Sequence, residues 1–158
     1  MAARPGAYEG VMTVYVDADA CPVKEETLRV AARHGVRVVY VADGGLRPNP
    51  HPLAETVIVA SGLDAADDWI AARIGAGDIC VTADVPLADR CVKAGARAIR
   101  PDGEVWTAGN VGAALATRNL MTQIREANPL RQGGGQRPFS KTDRSRFLEA
   151  LERELRRR

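Results

Sequence analysis

A chain of 158 residues, 46% apolar and 27% charged, is long enough to bury one substantial core and too short for two comfortable domains. With 4% aromatic residues, ring stacking on exposed bases is not expected to dominate recognition, and a net charge of +2 excludes neither acidic nor basic partners. Three cysteines without CxxC spacing argue against a disulfide framework or a cysteine zinc site. No stretch approaches the roughly 20 apolar residues of a membrane span, so a cytoplasmic protein with reduced thiols and no membrane partner is expected.

Residues 1–11 lack the apolar run of a secretory signal and are predicted to be a disordered extension. Residues 12–158 are predicted to form a single α/β domain. The apolar stretch from Val14 to Val16 reads as a buried first strand that ends in Asp17 and Asp19, with Pro22 suited to the first turn of a helix over 22–34. Gly35 stops that helix, and 36–42 (VRVVYVA) is a second strand, which makes the pair parallel with a right-handed crossover. Residues 43–52, rich in glycine and proline, form a loop before a short third strand over 56–60.

A helix over 64–74 begins with an acidic first turn. A fourth strand over 79–82 leads to Asp84, a helix over 86–94 follows, and 96–99 is a fifth strand with a turn at 100–103. Residues 110–126 have helical spacing, and Val111, Leu115, Leu120, Met121 and Ile124 are predicted to share a face. Residues 128–138, with three consecutive glycines, are predicted to be a flexible linker or lid. A basic helix over 140–157 follows, opened by Ser140 and Asp143 in a near capping box. Alternating strands and helices predict a three-layer α/β/α sandwich around a mainly parallel five-stranded sheet.

Ligands of such sheets bind beyond the carboxyl ends of strands, where strand order reverses. Asp17 and Asp19 end the first strand and Asp84 follows the fourth, while Asp67 and Asp68 lie on the helix leading into the fourth. Gathered carboxylates repel unless a cation neutralises them, and hard oxygen donors suit Mg²⁺ or Mn²⁺. The expectation is a metal-dependent phosphoryl-transfer site with Asp17, Asp19 and Asp84 in catalytic roles. Asp17, Asp84 and one or both of Asp67 and Asp68 would hold the metal. Lys141, Arg144 and Arg146, three cations within six residues, are candidate phosphate or nucleic-acid ligands.

The motifs at 14–23 (VYVDADACPV), 81–88 (VTADVPLA) and 138–151 (PFSKTDRSRFLEAL) closely resemble the bacterial YaiI/YqxD family, and the likeness extends over nearly all of 12–155. That family is grouped by similarity with PIN-like domains. The resemblance implies a metal-dependent nuclease acting on RNA or another nucleic acid. Asp17 matches the acid after the first PIN strand, Asp67 or Asp68 the mid-chain acid, and Asp84 the acid after the fourth strand. Pro86 departs from the pattern, since PIN enzymes often carry a further acid there.

Each residue also has a plain structural reading. Asp17, Asp19 or Asp84 could cap the following helix, and Asp67 and Asp68 could serve the helix dipole. Asp89 reads as a solvated helix residue, Cys21 as a buried space-filling thiol, His34 as a helix-end cation, and Lys141 to Arg146 as a solvated basic face. Two other functions compete with the nuclease. One is a catalytically inactive RNA- or protein-binding module. The other is an aspartyl-phosphate phosphatase using Asp17 as nucleophile and Asp19 as acid and base, which would also need a suitably placed lysine. The amphipathic helices leave room for a dimer.

Overall fold

Alternation along the first strand decides the architecture. In the computed structural model, which describes residues 11–128 and 138–157, Val14 and Val16 enter one hydrophobic core while Tyr15 enters another on the opposite face. All three side chains are fully buried, as expected of a central strand in a mainly parallel sheet. The expected N-terminal extension and most of the glycine-rich linker lie outside the described residues.

Six strands form the sheet: β1 (Thr13–Asp17), β2 (Arg37–Ala42), β3 (Ala54–Ile58), β4 (Ile79–Val81), β5 (Arg97–Ile99) and β6 (Val105–Trp106), in the order β3-β2-β1-β4-β5-β6. The first five run parallel, and β6 pairs antiparallel with β5. The expected five strands therefore become six. β6 has only two residues, too few for a hydrophobic period to register. It exists because the preceding turn folds back, with the Arg100 N–H donating to the Glu104 carbonyl at 2.8 Å.

Five helices are described: α1 (Lys24–Arg33), α2 (Ala65–Arg73), α3 (Val85–Lys93), α4 (Val111–Ala127) and α5 (Lys141–Arg156). α1 and α5 supply Leu28, Ala31, Phe147 and Leu151 to the core under Val14 and Val16. α2 and α3 supply Ile70, Leu87 and Cys91 to the core under Tyr15. Val23 is the residue before α1 and no side chain caps that helix, so neither Asp17 nor Asp19 is spent there. None of the described helices is long and apolar enough to cross a membrane.

The expected single apolar face of α4 is not observed. Val111 is buried, whereas Leu120, Met121 and Ile124 are exposed. Val111 and Ala114 pack into the core that α3 shares, and at about 100° per residue the later three point well around the helix.

α5 is anchored at both ends. Ser140 Oγ accepts the Asp143 N–H at 3.1 Å and Asp143 Oδ2 accepts the Ser140 N–H at 3.0 Å, which completes a capping box with Asp in place of the usual Glu or Gln. The far end is held by buried Glu154, which accepts from Arg97 at 3.0 Å. Ser140→Ala is expected to lower stability by about 1 kcal/mol, measured by urea denaturation. An unchanged midpoint would show that the cap is dispensable.

Candidate functional site

Strand order reverses between β1 and β4. Beyond β1 the chain turns into α1 on one face, and beyond β4 into α3 on the other, so a crevice opens between them. The crevice has a volume of about 790 Å³ and is lined by Asp17, Asp19, Cys21, Thr82, Asp84 and Arg100, with Pro138, Phe139 and Asp143 on the α5 side. A larger concavity of about 960 Å³ runs along edge strand β3 and reaches Asp68, Trp69 and Arg73. It contains none of the strand-end acids, which gather in the smaller cleft.

Thr82 joins the two principal acids. Its hydroxyl donates to Asp17 Oδ2 at 2.9 Å and accepts the backbone N–H of Asp84 at 2.9 Å. β1 and β4 are registered with Val16 opposite Val81, so the next residues, Asp17 and Thr82, stand level. Burial pushes the Asp17 carboxyl up, the Thr82 hydrogen bond opposes that shift, and Asp84 and Asp19 add repulsion. Asp84 caps α3 as well, accepting the Leu87 N–H at 3.1 Å through Oδ1. Capping and site membership coexist there because a carboxylate has two oxygens.

The mid-chain acids separate. Asp67 comes within electrostatic reach of both Asp84 and Asp17. Burial first, then repulsion from those two and hydrogen bonding with Asp84, raise its pKa to about 7. Asp68 points outward and pairs with Arg90 at 2.7 Å. Asp19 accepts the Asp43 N–H at 3.2 Å, tying the β1 end to the loop after β2.

The basic residues of α5 take different positions. Arg144 is engaged by Glu26 on α1, and Arg146 lines a separate cavity with Asp102, Glu104 and Glu149. Lys141 is exposed at the start of α5, next to the cleft wall. His34 pairs with Glu152 and joins α1 to α5, a structural role. Cys21 lies buried in the cleft wall, and desolvation pushes its thiol up to about 11, which leaves it protonated and poorly nucleophilic. Asp89 is largely buried and pairs with Lys93 at 2.9 Å, so it is not the solvated residue expected.

Two participants escaped the sequence reading. Thr82 was visible only as part of a threonine-alanine-aspartate motif, and Arg100 only as the first residue of a turn. The available signal was position: Thr82 and Arg100 are each the first residue beyond a parallel strand, level with Asp17 at the end of β1, on one sheet edge.

No group of three or more His, Cys, Asp and Glu side chains among the described residues is drawn together closely enough to hold a metal ion. The donor chemistry still fits Mg²⁺ or Mn²⁺, because such ions take one or two protein carboxylates and fill their remaining positions with water and substrate phosphate. Asp17 and Asp84 meet that requirement without a third ligand.

The raised Asp67 pKa has a sign that can be tested. Relative to its ordinary value near 3.8, a folded value of about 7 means that the native state retains a proton the unfolded chain releases. Stability from this group is full below about pH 4 and is lost as pH rises toward 7. Asp67→Asn is therefore expected to flatten the decline in melting temperature between pH 4 and 7. Parallel wild-type and variant profiles would rule out the coupling.

A family profile described as Uncharacterized BCR, YaiI/YqxD family, matches residues 15–157. A UPF0178 protein of Ruegeria pomeroyi is 60% identical over 144 residues, covering 91% of this chain and 94% of the relative. One from Cereibacter sphaeroides is 60% identical over 143 residues, with 90% and 88% covered, and one from Rhodopseudomonas palustris is 55% identical over 149 residues, with 94% and 93% covered. No solved structure matches significantly. The chain belongs to the YaiI/YqxD family.

Proposed function

We propose that this YaiI/YqxD family member is a PIN-like, three-layer α/β/α hydrolase of phosphodiester bonds that depends on Mg²⁺ or Mn²⁺ and acts on RNA. The observation that carries the reading is the Thr82 hydroxyl, which binds Asp17 and the backbone of Asp84 at the strand-order reversal. The sequence resemblance to PIN-like nucleases supports the choice of reaction.

On this reading Asp17 and Asp84 hold the metal, and Asp67 approaches them from α2. When bound, the metal supplies an activated water and offsets negative charge on the phosphodiester. Thr82 keeps Asp17 turned toward the cleft, as hydrogen-bonded outer partners commonly do for metal-binding carboxylates. Asp19 stands at the mouth as an acid or base, and Lys141 attracts phosphate from the α5 side. Arg144 and Arg146 contribute to the positive field of that helix rather than to the cleft wall.

Replacing Asp17 and Asp84 separately by Asn, in protein purified free of contaminating nuclease, is expected to abolish Mg²⁺-dependent hydrolysis of labelled RNA. Thr82→Val should cost roughly 10–100-fold, the usual penalty for losing an outer-shell partner. Unchanged hydrolysis in both acid variants would sink the mechanism.

One observation favours a second reading, a catalytically inactive RNA- or protein-binding module: Pro86 lies inside α3 where PIN enzymes often present another acid. Isothermal titration with Mn²⁺ separates the two. Uptake abolished by Asp17→Asn supports the hydrolase, and no uptake at millimolar metal supports the module. The aspartyl-phosphate alternative gains nothing from Lys93, which pairs with Asp89 on α3.

A further inference from the structure

We propose that Arg100, on the turn after β5, is the substrate-phosphate anchor of the acidic cleft; this rests on the phosphodiester reading above. Asp17, Asp19, Asp84, Asp102 and Asp143 all line the cleft, and Arg100 is the one cation among its described lining residues. A wall of carboxylates repels a polyanion even after one divalent ion has bound. An incoming phosphate therefore requires a positive group on the opposite side.

Register places Arg100 there. Val81 of β4 pairs with Ile99 of β5 and Val16 of β1 pairs with Val81, so Asp17, Thr82 and Arg100 follow at one level on three adjacent strands. Asp17 and Arg100 are two strand spacings apart, about 10 Å along the sheet. That separation leaves room for a phosphate between them and prevents direct neutralisation of one by the other.

The guanidinium is held loosely and its backbone tightly. Its acidic neighbours, Asp102 Oδ2 at 3.7 Å and Glu104 Oε2 at 3.8 Å, are beyond good hydrogen-bond distance, and the side chain is 45% exposed. Pairs of this kind contribute little and yield readily to a phosphate that accepts two parallel bonds from the guanidinium. In contrast, Arg90 is bound to Asp68 at 2.7 Å and Arg144 is taken by Glu26. Two backbone bonds of 2.8 Å close the turn, one from the Arg100 N–H to Glu104 and one from the Gly103 N–H to Arg100. Gly103 has φ +95°, and a Cβ there would meet the Arg146 backbone carbon at 2.6 Å. The turn is thus pressed against α5, and Arg100 projects from a fixed base.

The test measures binding of a fluorescein-labelled single-stranded oligoribonucleotide by anisotropy across a salt series, with Ca²⁺ in place of Mg²⁺. Arg100→Gln is expected to weaken binding roughly tenfold and to reduce the slope of log K against log salt by about 0.7, the loss of one phosphate contact. Arg33→Gln makes the same charge change on α1 at the opposite sheet edge and should leave the slope unchanged. Arg100→Lys should restore the slope and only part of the affinity, which separates charge from bidentate geometry and also guards against misfolding.

Equal slopes for wild type and Arg100→Gln, equal losses for Arg100→Gln and Arg33→Gln, or no binding by the wild type would each overturn the assignment. The outcome is distinct from that of the acid variants. Hydrolysis that persists in Asp17→Asn and Asp84→Asn defeats the nuclease reading, whereas the salt slope reports on Arg100 alone.

Discussion

The hydrogen bond from the Thr82 hydroxyl to Asp17, with the Asp84 N–H donating to the same oxygen, is the contact on which the candidate site depends. It links residues 65 positions apart in sequence. The bond exists only because β1 and β4 are neighbours with Val16 opposite Val81. A one-residue slip in that register would turn Thr82 to the other face of the sheet and leave Asp17 desolvated beside Asp84 without a donor. The cores under Val14 and Val16 and under Tyr15 oppose such a slip, since it would exchange the two sets of side chains between environments that each already fill. Packing on both faces therefore fixes the geometry of one hydroxyl at the edge.

Most of the regular structure was legible because it obeys simple periods. β1 and β2 are built on the apolar runs 14–16 and 38–42, α1 and α3 are bounded by glycine just past their ends, and α5 announces itself through Ser140 and Asp143. What escaped was created by tertiary contact. β6 depends on a turn that closes on itself. The later part of α4 carries apolar residues that helical spacing assigned to one face, although packing against α3 selects a different face. The β3 boundaries moved toward the preceding loop because pairing with β2 begins at Ala54, before the β-branched run starts.

The same division holds for the site. Asp17 and Asp84 could be read from strand ends, because the carboxyl edge of a parallel sheet is where ligands bind. Sequence could not choose between Asp67 and Asp68, since adjacent helix positions differ by about 100° and only the placement of α2 shows which faces the sheet edge. Nor could it reveal that Arg144 would meet Glu26, a residue 118 positions away, or that Asp89 would be largely buried. Local composition made the α5 cations look alike, and the fold gives each a different electrostatic setting.

Asp84 carries a consequence that concerns order rather than charge. One of its oxygens accepts the Leu87 N–H at the start of α3, and the side chain of Asp17 is pinned through Thr82. Both carboxylates thus lose their rotational freedom when the helices and sheet assemble. A ligand arriving at the cleft meets groups already immobilised, so little further entropy is lost on capture and affinity can be gained without additional contacts. Folding has, in effect, already fixed the side chains on which the proposed binding relies.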